Sequence, residues 1–226
     1  QMSLPVLQDA TDVLSFAQEY SSRETESATG VLQTLLNSIG IAGSTSEDRR
    51  YTVALALAEG VDALHRVGYA IGNFHHSKIL VDGTNVVFVD CDEFHIGTET
   101  ELMKDNNGAP VYVPPTDEAT IEVVQQSDRF ALAVHIFQLL MDGYHPFQAT
   151  GSEALECRSE AMIRENPFPY RAPDAEYLSP PEDTPSYAEL PPEIRDLFEV
   201  CFIEGIQVPE MRPPASKWID VLGVSS

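Results

Sequence analysis

Apolar positions follow helical spacing most clearly just before and well after one short alternating segment. Val53, Leu57, Val61 and Leu64 recur at i, i+4, i+8 and i+11, one face of an amphipathic helix. Ser46 or Asp48 can cap its start, and Gly68 can stop it in a left-handed conformation. Ile79 to Val81 and Val86 to Val89 are then short β-rich runs around Asp82-Gly83-Thr84-Asn85, whose Asp-Gly pair suits a hairpin turn. Further on, Phe130, Val134, Phe137 and Leu140 keep the 3.6-residue period from a cap at Ser127 to a stop at Gly143. Ala131, Ala133 and Ile136 make that helix apolar nearly all round, which places it in the middle of a domain.

The remaining segments carry weaker patterns. Asp9 to Glu19 predicts a short helix capped by Asp9 or Thr11, and Val31 to Ile39 a second one ended by Gly40. His95 to Thr120 holds turn formers without periodicity, and a loop of that length is usually functional. Ser152 to Glu165 predicts an amphipathic helix, and the Pro-rich acidic connection from Asn166 to Pro192 is expected to wrap the surface. Pro192 suits a helix start, with Ile194, Leu197, Phe198 and Cys201 on its buried face, and a last helix runs through Trp218, Ile219 and Leu222. No repeat and no break in composition divides the 226 residues, so the expectation is one mainly α domain with a small β-hairpin.

Charge narrows the partners. The net charge of −23 argues against nucleic acid and against an anionic membrane, since both require a basic footprint. The acidic residues are scattered, which reads as a solvated surface of the kind a salt-rich cytoplasm screens. Cys91, Cys157 and Cys201 are odd in number and lack Cys-x-x-Cys spacing, which argues against a disulfide framework or zinc site and for a reducing interior. With no signal peptide and no apolar run of bilayer length, a cytoplasmic location is expected.

Only the central stretch has polar residues placed like a reaction centre. Asn73 to Lys78 and Asp90 to Glu93 lie at opposite ends of the hairpin. His75, His76, Asp90 and Asp92 can be drawn as a metal site, but adjacent histidines rarely face one centre and Lys78 would repel a cation. No Gly-x-Ser-x-Gly elbow is present, and Cys91 reads as a small buried thiol at a strand end.

The segments GYAIGNFHHSKILVD, VVFVDCDEF, GAPVYVPP, SDRFALAVHIFQLLMDGYHPF and RPPASKW, in that order, resemble the C-terminal lobe of a protein kinase over nearly the whole chain. They are most similar to bacterial and archaeal Ser/Thr kinase-like proteins with G-D-x-N-P-x-N and D-C-D-x-F segments. The resemblance implies a lobe whose hinge and first helices occupy 1–50, its catalytic-like loop and hairpin 51–94, an activation-segment-like loop 95–126, and the central and C-terminal helices 127–226. It implies that an N-terminal lobe, with its Gly-rich loop and phosphate-anchoring Lys, is absent.

In the kinase template a loop Asp is the base, an Asn five residues later holds magnesium, and the Asp of D-F-G holds the bridging metals. Those positions resemble Asn73, Lys78 and Asp90, with Asp92 two residues on and His75 where a phosphate-contacting Lys often stands. A carboxamide at Asn73 has no useful basicity, so general-base help of ~10² to 10⁴-fold is forfeited. An ammonium at Lys78 cannot coordinate a cation, and it is expected to pair with Asp90 or Asp92 in the metal's place. Asp128 resembles the buried Asp that opens the central helix and braces the loop, and Arg212 the ion-pair partner of the activation segment's Glu, here replaced by Thr116 with Asp117 or Glu118 nearby.

The resemblance therefore implies a pseudoenzyme serving as an interaction or regulatory module, without a cofactor. A protein partner or second copy would cover the surface near Met2, Leu4, Leu80 and Val89. The alternative is the C-terminal lobe of an active Ser/Thr kinase that uses ATP and Mg2+.

Overall fold

The first long helix, α2 (Ser46–Arg66), forms where the heptad-like apolar face predicts it, and buries Val53, Leu57 and Val61 completely. Leu64 is half-buried against the same core. His65 and Arg66 lie in the last turn, where positive charge suits the helix dipole. Gly68, at φ +82, stops the helix: its amide donates to the His65 carbonyl at 3.1 Å, a turn that a side chain would strain. The computed structural model describes residues 11–18, 46–91, 94–96, 121–151, 168–171 and 178–225.

The chain is mostly helical with a small antiparallel sheet. Strand β1 (Thr11–Asp12) pairs with β3 (Ile79–Asp82), which pairs with β4 (Asn85–Phe88), giving the order β1-β3-β4. The hairpin register joins Asp82 to Asn85, so its turn is Gly83-Thr84, tighter than the four-residue stretch suggested. Gly83 takes φ +65 at the first central position, as a type II′ turn demands. Arg49, from the first turns of α2, donates to the Gly83 carbonyl at 2.9 Å and secures the turn. A second pair of strands, β2 (Tyr69–Ala70) and β5 (His95–Ile96), flanks the loop between α2 and β3.

The expected helix from Asp9 begins later. Thr11 is in β1, opposite Val81, and the cap of α1 (residues 13–18) is Asp12, whose Oδ1 accepts from the Leu14 and Ser15 amides at 3.1 Å each. The central helix α3 (Ile121–Leu140) begins earlier than Ser127, which is interior and bonds back to the Val123 carbonyl at 3.3 Å. Residues 121–126 are therefore helix, not activation-segment-like loop. Asp128 lies inside the helix and does not open it.

The segment expected to wrap the surface instead feeds the core. Phe168, Tyr170, Tyr187 and Leu190 are all buried, and Phe168 and Tyr170 meet Phe137 of α3 at ring separations of 6.0 and 5.0 Å. Its aromatic side chains carry more apolar surface than its prolines and charges suggest. Helix α4 (Pro192–Glu199) runs into a π-helical turn, Val200–Glu204, before the short α5 (Gly205–Gln207) and α6 (Ala215–Ser225). Trp218 of α6 is fully buried against Phe198, 4.9 Å away between rings.

One apolar cluster runs from Val13 to Leu222 through α2 and α3. Cys201 is buried within it, which pushes its thiol up to about 12, whereas Cys91 is exposed and corrects the expectation of a buried thiol. Cys91 follows Asp90, whose backbone takes a left-handed φ of 55 at the end of the hairpin. Cys157 and the predicted helices at 31–39 and 152–165 lie outside the described residues. Among the described residues no helix is long and apolar enough to cross a membrane.

Candidate functional site

The loop from Ile71 to Lys78 satisfies part of its backbone itself, and α3 supplies further partners. Gly72 takes φ +78, and the His95 ring lies where a Cβ would be, 2.4 Å from Nε2. Two tight bonds follow, from the Phe74 amide to the Gly72 carbonyl at 2.8 Å and from the His75 amide to the Asn73 carbonyl at 3.0 Å. Asn73 is thus exposed at the apex, between the buried Gly72 and Phe74. A short 3-10 turn, His76–Lys78, returns the chain to β3.

Asp128 holds the first half of the loop from below. Its carboxylate is fully buried; Oδ2 accepts from the Ile71 amide at 2.7 Å and from His65 Nε2 at 3.0 Å, and Oδ1 accepts from the Gly72 amide at 2.9 Å. Three charge-assisted bonds to one carboxylate are the ordinary way to keep a buried charge. Gln125, one turn earlier on α3, donates to the Tyr69 carbonyl at 2.8 Å and the His65 carbonyl at 3.2 Å. Arg212 is buried as well, donating to the Gly205 carbonyl at 2.7 Å and the Gln126 carbonyl at 3.0 Å while its guanidinium lies over Phe130. It ties the end of the π-helical turn to the part of α3 that carries Asp128. Thr116, Asp117 and Glu118 lie outside the described residues.

The histidine pair is not aimed at a common centre. The two rings lie 4.0 Å apart, but His75 Nδ1 bonds the Ser77 hydroxyl at 2.9 Å and His76 Nδ1 bonds Asp12 Oδ1 at 3.1 Å. Burial lowers the His75 pKa, and the neighbouring His76 lowers it further. Asp12 is held below its ordinary value: burial pushes it up, but hydrogen bonds from Ser15 and the charge of His76 outweigh that. Burial also lowers the His95 pKa, with Asp128 opposing.

Lys78 is buried, at 8% exposure, with its carbonyl accepting from the Val89 amide at 3.0 Å. That bond joins the end of the loop to the end of β4, next to Asp90. Asp90 is exposed and left-handed in backbone, and Asp92 lies outside the described residues. No group of three or more His, Cys, Asp or Glu side chains among the described residues is arranged to hold a metal ion. A buried lysine at position 78 does not fit magnesium, because an ammonium has no lone pair to give and repels the cation. Leu80 and Val89, expected to face a partner, are half-buried; Met2 and Leu4 lie outside the described residues.

The chain is similar to a bacterial protein kinase. It is 26% identical over 180 residues to "Protein kinase YegI" of Escherichia coli strain K12, and equally to that of Escherichia coli O157:H7. The match covers 75% of this chain but 27% of those proteins, so the chain spans about a quarter of the length of the curated relatives it matches. No protein-family model matches it. The similarity supports a kinase-like origin.

Several residues that shape the loop escaped the sequence reading. His65, Gln125 and His95 gave no signal alone, because their partners are distant in sequence and one lies on the unpredicted first turns of α3. His135 carried a readable signal: a polar residue on a helix apolar nearly all round, seven positions or about two turns from Asp128 and so on the same face.

Proposed function

We propose that the chain is a kinase-like pseudoenzyme, the counterpart of a kinase C-terminal lobe kept as a protein-interaction or regulatory module after phosphotransfer was lost. The observation that carries this reading is the loop itself. Its backbone is fastened by Asp128 on Ile71 and Gly72, while its apex presents Asn73 and its end buries Lys78. A fold that spends a buried carboxylate on holding this loop, and puts a carboxamide and an ammonium at the template's base and metal positions, retains the shape without the acid-base and metal chemistry. In this reading Lys78 pairs with Asp90 or Asp92 in place of a cation, and the partner is a protein or a second copy of the chain.

A second reading is favoured by the similarity to proteins named as protein kinases: the chain is part of an active, ATP-dependent Ser/Thr kinase. Thermal unfolding with and without Mg-ATP separates the two. A ligand at a hundred times its Kd adds ~2.7 kcal/mol, or about 5–10 °C for a chain of this length. The native midpoint is expected to stay put, and Asn73→Asp combined with Lys78→Asn to restore the shift. A shift of that size in the native chain overturns the reading of Lys78.

A further inference from the structure

We propose that His135 is a positioning residue, a neutral imidazole that fixes Asn73 at the loop apex by holding Phe74 through both its carbonyl and its ring. Nε2 of His135 lies 3.1 Å from the Phe74 carbonyl oxygen, and the two rings meet edge-on at 5.0 Å. The Phe74 ring is also 6.1 Å from that of Phe88 on β4, so this residue is gripped from the helix side and the hairpin side together. A carbonyl can only accept, so the proton sits on Nε2 and the tautomer is set. The residue before Phe74 is Asn73, and the residues before that are already bonded to Asp128. The apex is therefore pinned on both sides from a single face of α3, by Asp128 on the amides of Ile71 and Gly72 and by His135 on the carbonyl of Phe74.

Charge in the surroundings works the same way. His135 is buried, which lowers its pKa to about 4 against the hydrogen bond to Phe74, which raises it. His75 and His76 from the loop disfavour a second proton, Gln138 on α3 is a polar neighbour that opposes them, and His145 beyond the end of α3 is also lowered to about 4 by its own burial. The ring stays neutral across the physiological range. The inference rests on hydrogen-bond geometry and goes beyond the proposed function, since it holds whether or not the loop performs chemistry.

Long-range proton-nitrogen spectra of the full chain test it directly. The expected signature is an Nε2–H tautomer for His135 that does not titrate between pH 8 and about 5. An Nδ1–H tautomer, or titration near the ordinary value of 6.5, overturns the assignment. Two variants read the positioning itself: His135→Leu removes the donor at similar volume, and His135→Gln keeps an N–H. Exchange of the Phe74 and His75 amides is expected to rise about tenfold in His135→Leu, the scale of one lost hydrogen bond in a locally opening segment, and to return in His135→Gln. Unchanged exchange in a folded His135→Leu, or equal loosening in both variants, contradicts it. Should His135→Leu fail to fold, the tautomer and titration of the unsubstituted chain decide.

Discussion

Replacing Asp128 with alanine is expected to remove much of the chain's stability and release its central loop. The carboxylate accepts from three donors, the Ile71 and Gly72 amides and His65 Nε2, in a site from which water is excluded. Each buried donor left without an acceptor costs ~1–3 kcal/mol, and allowing for partial relaxation the total is about 3–6 kcal/mol. Globular domains have roughly 5–15 kcal/mol in all. Asp128→Asn is expected to rescue little, because either orientation of the amide turns an NH2 group toward a backbone N–H. Urea unfolding measures the loss, and hydrogen exchange at Ile71 and Gly72 shows where it acts. A loss below about 1 kcal/mol would mean that the loop holds itself.

Phe137→Ala is expected to cost about as much by a different route. The side chain is fully buried in the last turn of α3, and its ring meets those of Phe168, Tyr170, Tyr187, Phe198 and Phe202 within 6.3 Å. Truncating a phenylalanine in such a place leaves a cavity worth ~3–5 kcal/mol. Segment 168–171 is turn without helix or strand, so it is expected to loosen first. Calorimetry should give a lower midpoint, and limited proteolysis should cut near residue 170. An intact proteolytic pattern with a midpoint within a degree of the native chain would place the centre of the core elsewhere.

The difference between these two residues shows what the sequence made legible. Phe137 could be read from periodicity alone, as could the buried face of α2 at Val53, Leu57 and Val61, because helix spacing is a local property. The hairpin was likewise visible from its Asp-Gly, although its register tightened the turn to Gly83-Thr84. The first turns of α3 were not, since Ser127 carried the stronger local signal. The same limit hid Gln125 and His65, whose hydrogen bonds span about sixty residues. At the candidate site, residue types at Asn73, Lys78 and Asp90 could be weighed chemically from sequence. Their exposures could not: Asn73, Asp90 and Cys91 are exposed and Lys78 is buried.

On the proposed reading this loop keeps a kinase-like shape without phosphotransfer chemistry. Incubation of the chain with radiolabelled Mg-ATP, alone and with a Ser/Thr-rich protein acceptor, tests it most directly. The expected result is no label on either protein above background, with Asp90→Ala indistinguishable from the native chain. Label that accumulates with time on the native chain or the acceptor, and disappears in Asp90→Ala, would contradict it.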